Sequence, residues 1–131
     1  MSKPYEELAK QAQSTFWGYV GFELEAVEQD AIVVSLAIQP HHLNMMGIVH
    51  GGVFMSMLDN AMGLIVMLDP TVRTVTATMN THFLHNVSSG TIYCKAELLH
   101  RTKRTITMTA SIYDENDQLL AYASGSYRLL S

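Results

Sequence analysis

Residues 51 to 68, GGVFMSMLDNAMGLIVML, restrict what this 131-residue chain can fold into more than any other stretch. Val53, Phe54, Met55, Met57, Leu58, Ala61, Met62, Leu64, Ile65, Val66 and Met67 leave a helix there with almost no polar face. Such a helix is normally enclosed on every side. Its unbroken apolar run, from about Met62 to Leu68, is far too short to span a bilayer. The enclosure therefore has to come from the protein, and Asp69-Pro70 ends the helix.

The remaining segments can supply that enclosure. Tyr5, Leu8, Ala12 and Phe16 recur at helical steps, with Pro4, Glu6 and Glu7 suited to a first turn and Gly18 and Gly21 as the break. Phe22 to Glu28 and Ala31 to Ile38 read as two strands joined at Gln29-Asp30, with Ile32, Val34, Leu36 and Ile38 on one face. Four more strands follow the long helix. In the first, Val75, Ala77, Met79 and Phe83 form the apolar face; in the second, Ile92, Cys94, Ala96 and Leu98 do so. Ile106, Met108, Ala110 and Ile112 mark the third, and Leu119, Ala121, Ala123, Tyr127 and Leu129 the last. Turns at Asn86–Gly90, His100–Arg104 and Asp114–Asp117 are short enough for antiparallel hairpins. An antiparallel sheet with one apolar face needs a cover, so the expected fold is α+β, a single domain over residues 1–131 in which the sheet curls round the long helix.

Charge and cysteine content narrow the function. With 12 Asp and Glu against 8 Lys and Arg, the net charge is −4, so no general attraction to nucleic acid is expected. Charged residues amount to 15%, low enough to hint at surface hidden in an oligomer. The single Cys94 excludes an intramolecular disulfide framework. The charged N-terminus lacks the apolar core of a signal peptide, and a cytoplasmic protein without membrane partners is expected.

Chemistry concentrates in residues 42 to 52, HLNMMGIVHGG, and in Asp59. Gly51 and Gly52 stand where loop becomes helix, where backbone N–H groups lack helical partners and the helix dipole is positive. They could receive a carbonyl oxygen as it becomes an oxyanion, or simply make a tight turn. Asp59 sits among Met57, Leu58, Ala61 and Met62. An ionised carboxylate in such surroundings costs several kcal/mol unless it is paired or wetted. It either faces a solvent gap, bonds to Ser56 or Asn60, or is functional. Nine residues separate His50 from Asp59, about 13 Å along one helix. A carboxylate and an oxyanion hole serving one carbonyl must each come within about 3 Å of it. If both serve one reaction, two chains related by a two-fold axis have to build the site.

The motif Asn44-x-x-Gly47-x-x-His50-Gly51-Gly52, with Asp59 seven positions later, resembles the signature of hotdog-fold thioesterases of the phenylacetate-degradation type. The resemblance extends over nearly the whole chain, including Phe83-Leu84 and the closing strand from Ala121 to Leu129. It implies a five- or six-stranded antiparallel sheet wrapped round the helix, homodimers with a continuous sheet, and usually homotetramers. It further implies hydrolysis of an acyl- or aryl-acyl-CoA, with aromatic, short and medium acyl groups all open, and with Asp59 as nucleophile or general base and no cofactor. The Gly52 N–H, with Gly51 nearby, would polarise the thioester carbonyl. Asn44 and His50 of the other subunit would orient the water or thioester, and Thr76 falls where relatives hold the water with a Ser or Thr. The chain departs from the family at Phe83-Leu84-His85-Asn86, where many relatives read Phe-Leu-Arg-Pro, so an Arg contact to coenzyme A is not implied there.

His100-Arg101-Thr102-Lys103-Arg104 is a dense basic cluster in an acidic protein. Arg101, Lys103 and Arg104 could hold coenzyme A phosphates, or the segment could be an ordinary solvated turn. His41, His42 and His50 lack a carboxylate or cysteine at familiar ligand spacing, so no metal is expected. Cys94 reads as core packing, and the nine methionines as core or as lining of an adaptable acyl pocket. Two other activities fit the same elements: a hydroxyacyl thioester dehydratase or hydratase using His50 with Asp59, and a non-catalytic acyl-CoA binding protein.

Overall fold

The structure, a computed structural model, describes residues 3–67 and 69–130. Two short helices, α1 (Lys3–Ala12) and α2 (Phe16–Val20), lead into strands β1 (Glu23–Glu28) and β2 (Ala31–Ala37). The long helix α3 (Gly51–Val66) follows, then β3 (Thr74–Phe83), β4 (Thr91–Arg101), β5 (Thr105–Tyr113) and β6 (Leu119–Leu129). All six strands join one antiparallel sheet in the order β1-β2-β4-β5-β6-β3. The chain crosses from β2 over the sheet through α3 to β3 at the far edge, and the two hairpins of β4, β5 and β6 fill the gap. The helix lies against β2, β4, β5, β6 and β3, so the expected wrapped-helix architecture is present.

Alternation in the strands sets the core. Ile32, Val34, Leu36, Ile92, Cys94, Ala96, Met108 and Ile112 close on Met57, Leu58, Ala61 and Met62 of α3. Fully burying side chains of this kind is worth about 1.5–3 kcal/mol each. The tight β1–β2 turn carries Asp30 at φ 58, a left-handed position that Asp tolerates.

Five local expectations are corrected. The Asn86–Gly90 segment closes no hairpin, because β3 pairs with β6 while β4 pairs with β2 and β5. At the start of β6 a slip in its pairing with β5 buries Leu120 in place of Leu119. The first helix is two helices broken at Gln13–Thr15, and Phe16 is exposed because it starts α2 instead of continuing the first stripe. Gly18 lies within α2, while Gly21, at φ 103, caps it. The helix α3 is not enclosed all round: Gly52, Met55, Ser56, Asp59, Asn60, Gly63 and Met67 remain outside the core. Leu68, placed in that helix on sequence grounds, lies outside the described residues. Finally, β3 does not present one apolar face. Its pairing with β6 slips between Thr76 and Thr78, so Thr74 and Thr76 share the face of Tyr127, whereas beyond the bulge Met79 and Phe83 share it.

Candidate active site

Residues 43–50 form a compact loop held largely by Asn44. Its Oδ1 accepts from the Met46 amide at 2.9 Å and the Ile48 amide at 3.3 Å, while its own amide donates to the Ile48 carbonyl at 2.8 Å. Gly47, at φ 80, makes the reversal that this loop requires. His42 is buried beneath the loop; its Nδ1 accepts the Gln39 amide, so its Nε2 proton goes to the Val20 carbonyl at 2.6 Å. It is a structural histidine.

His50 caps the start of α3. Its Nδ1 accepts the Gly52 N–H at 2.8 Å, so the neutral ring carries its proton on Nε2. A Cβ on residue 52 would lie 2.9 Å from that Nδ1, which explains the glycine. The Gly52 amide expected to polarise a carbonyl is thus engaged by its own chain. The Gly51 amide has no acceptor among the described residues, and Phe83 lies 3.4 Å from where its Cβ would be. The free donor at the head of α3 is therefore Gly51.

Asp59 emerges two turns further on, on the open face of α3. Its Oδ1 accepts from Thr76 Oγ1 at 2.9 Å and from Tyr127 Oη at 2.7 Å. The Tyr127 hydroxyl also lies 3.0 Å from the Asp59 carbonyl oxygen. Burial first, and then the hydrogen bond and charge of Asp59, push the Tyr127 phenol well above its ordinary value, so it stays a proton donor at neutral and moderately alkaline pH. Asp59 Oδ2 has no hydrogen-bond partner among the described residues. The bulge in β3 makes this arrangement possible, because without it Thr76 would turn to the outer face of the sheet.

A cavity of about 570 Å³ opens beside Asp59, between α3, the two N-terminal helices and the start of β3. Leu8, Ala12, Trp17, Leu24, Leu64 and Val72 make much of its wall, with Asn60, Arg73 and Thr74 also lining it. Asn44, His50, Gly51 and Gly52 are not among its lining residues. Arg101, Lys103 and Arg104 lie on the β4–β5 hairpin, also remote from the head of α3. Arg101 lines a separate cavity of about 170 Å³ with Asp30 and Asp69. The Asp69 carboxyl is held below its ordinary value by the Thr71 hydroxyl and amide, with Arg101 adding a smaller pull. Within one chain the expected site residues thus form three groups: the head of α3, Asp59 with Thr76, and the basic hairpin.

Sequence reasoning missed Tyr127 as a site residue, reading it only as core. A signal was available, since a tyrosine on a buried face needs a partner for its hydroxyl and Asp59 was the unpaired acceptor in the enclosed helix.

Residues 46–121 match the model of the thioesterase superfamily. The chain belongs to that superfamily. Relatives of this thioesterase-superfamily chain include a Mycobacterium tuberculosis protein assigned as an esterase, 30% identical over 107 residues that span 78% of this chain and 76% of that one. Its solved structure superposes with a TM-score of 0.84 at 27% identity, covering 88% of this chain and 96% of the other. A Saccharolobus solfataricus protein, also assigned as an esterase, is 30% identical over 122 residues, 92% of this chain and 80% of that one. In fold, the chain matches a thioesterase from Haemophilus influenzae with a TM-score of 0.91 at 19% identity, over 96% of this chain and 90% of that one. Membership and fold agree with the hotdog architecture and with a thioester hydrolase. No helix among the described residues is long and apolar enough to cross a membrane.

Proposed function

We propose that the protein hydrolyses an acyl-coenzyme A to the free acid and coenzyme A, at a site shared between two subunits. The observation that carries this reading is the Asp59 carboxylate, with one oxygen fixed by Thr76 and Tyr127 and the other free, beside a cavity large enough for an acyl group. The free oxygen either takes a proton from a water that attacks the thioester carbon, or attacks that carbon itself to give an acyl anhydride that water then opens. In both routes the carbon–sulfur bond breaks, and coenzyme A leaves as a thiolate that takes up a proton.

The carbonyl oxygen becomes negative in this reaction and needs donors. The free Gly51 N–H at the positive end of α3, supported by the Gly52–His50 cap, is suited to it. Since α3 runs unbroken from Gly51 to Val66, Gly51 and Asp59 of one chain stand about 12 Å apart. The donors then come from a second subunit, where Asn44 and the Nε2–H of His50 can orient the thioester or water. The edge strand β3 supports such an assembly: it is ten residues long, pairs among the described residues with β6 alone, and exposes Val75 and Phe83. Arg101, Lys103 and Arg104 remain candidates for the coenzyme A phosphates. A hydratase would need His50 as acid and base, and the engagement of its Nδ1 favours the hydrolase.

Replacement of Asp59 tests the reading. Asp59→Asn should lower kcat on acyl-CoA by about a hundredfold or more, with thiol release as the readout and an unchanged melting curve. Near wild-type turnover by the folded variant would refute it.

A further inference from the structure

Gly63 lies inside α3, one turn beyond Asp59, and neither its backbone nor its packing requires a glycine. Its φ is outside the left-handed region, and a Cβ built there meets nothing within 4 Å. Gly125 shows the contrast: a Cβ there would sit 3.1 Å from the side chains of both Met62 and Tyr127, so a side chain at 125 would press on the packing of sheet against helix. Glycine is also among the least favourable residues for a helix interior. Alanine at 63 would serve the fold better. What the glycine leaves open is space in the cavity beside Asp59, whose wall it forms together with Leu8, Ala12 and Leu64.

We propose that this cavity seats the acyl group of the thioester, and that Gly63 is the specificity-determining residue that admits a medium-length chain. The proposal rests on the hydrolase reading of Asp59. The length follows from the wall. Along α3 the lining runs from Asp59 to Met67, eight residues at 1.5 Å each, or about 12 Å. An extended hydrocarbon advances about 1.25 Å per carbon–carbon bond of 1.5 Å, so the wall matches a chain of roughly eight to ten carbons. Beyond Asp59 the lining turns largely apolar, with Leu64, Val66 and Val72. Each methylene buried there gains roughly fourfold in affinity. A large side chain at 63 would project into the path of that chain one turn past the reacting carbonyl, leaving room for a short acyl group only.

Two measurements on wild type, Gly63→Ala and Gly63→Leu test this. The first is kcat/KM across acyl-CoAs from acetyl to palmitoyl. The second is calorimetric binding of S-methyl- and S-decyl-CoA, thioethers that cannot be hydrolysed. Wild type should peak near octanoyl- and decanoyl-CoA. Gly63→Leu should lose at least about tenfold on those substrates and on S-decyl-CoA, while acetyl-CoA and S-methyl-CoA stay within about twofold. Gly63→Ala should melt no lower than wild type and fall between the two, about threefold down on S-decyl-CoA, and it carries the test if Gly63→Leu does not fold. An unmoved chain-length profile with unmoved S-decyl-CoA binding would overturn the proposal, as would a wild-type preference for acetyl- or palmitoyl-CoA. Gly63-dependent binding of S-decyl-CoA by a wild type that cleaves no thioester would keep the acyl cavity and refute the hydrolase reading instead.

Discussion

Tyr127→Phe removes one oxygen and leaves the ring where it packs. The hydroxyl lost is the one that meets Asp59 Oδ1 at 2.7 Å and Asp59 O at 3.0 Å, so Thr76 remains as the carboxylate's donor. Two consequences oppose each other. A hydrogen bond to a charged acceptor is worth about 1.5–3 kcal/mol, and on a half-buried carboxylate, where water can substitute, the lower end applies. Losing that bond leaves the carboxylate's negative charge less well solvated and, on that count alone, a more reactive nucleophile. Against this, a carboxylate held by one donor instead of two wanders, and a misplacement of about 1 Å costs up to about a hundredfold. Positioning wins, and kcat should fall about tenfold while the melting temperature changes by only a few degrees. Steady-state hydrolysis of the preferred acyl-CoA is the assay, run also in the Asp59→Asn background. There the tyrosine change should alter the residual rate by less than about twofold, since it acts through Asp59. A Tyr127→Phe enzyme within twofold of wild type, or a tenfold loss that persists without the carboxylate, would refute the positioning role.

Co-refolding equal amounts of Asp59→Asn with an Asn44→Ala, His50→Ala chain should restore about a quarter of wild-type sites, because half the random dimers are mixed and each has one intact site. No recovery, with mixed dimers demonstrated, would mean that each chain holds a complete site. Replacing Arg101, Lys103 and Arg104 with Ala should raise KM for acyl-CoA about tenfold and leave KM for a truncated thioester lacking the nucleotide unchanged; equal effects would remove the hairpin from phosphate binding. Burial raises the Cys94 thiol and the Tyr127 phenol above their ordinary values of 9.0 and 10.0, so the folded chain holds both protons more tightly than the unfolded chain. That stability is complete below about pH 9 and is lost as pH rises further, by about 1.4 kcal/mol per pH unit for each group; urea midpoints that stay flat to pH 10.5 would contradict it.

Much of this protein is local and therefore readable along the chain. The period-two patterns of β2, β4 and β5 each report one buried face where alternation puts it, and β6 does so from Ala121 onward, after a bulge that buries Leu120 instead of Leu119. An apolar helix flanked by such strands has few ways to leave water, which is why the wrapped fold could be anticipated. Gly51-Gly52 after His50 and a lone carboxylate in an apolar helix were legible for the same reason: each is anomalous in its own neighbourhood. Contacts between distant segments were not legible. A single bulge at Thr76–Thr78 inverts which residues of β3 face the helix, and alternation carries no mark of an inserted residue. That inversion brings Thr76 to Asp59, while Tyr127 arrives from 68 residues further along the chain. A solvent gap at Asp59 was one of the open readings, but the extent of the open face of α3 was not legible, because hydropathy measures how apolar a helix is and not whether the sheet is wide enough to cover it. Around Asp59 and Gly63 the sheet and the N-terminal helices leave a gap, and this cavity follows from the packing of whole elements, which no stretch of sequence records.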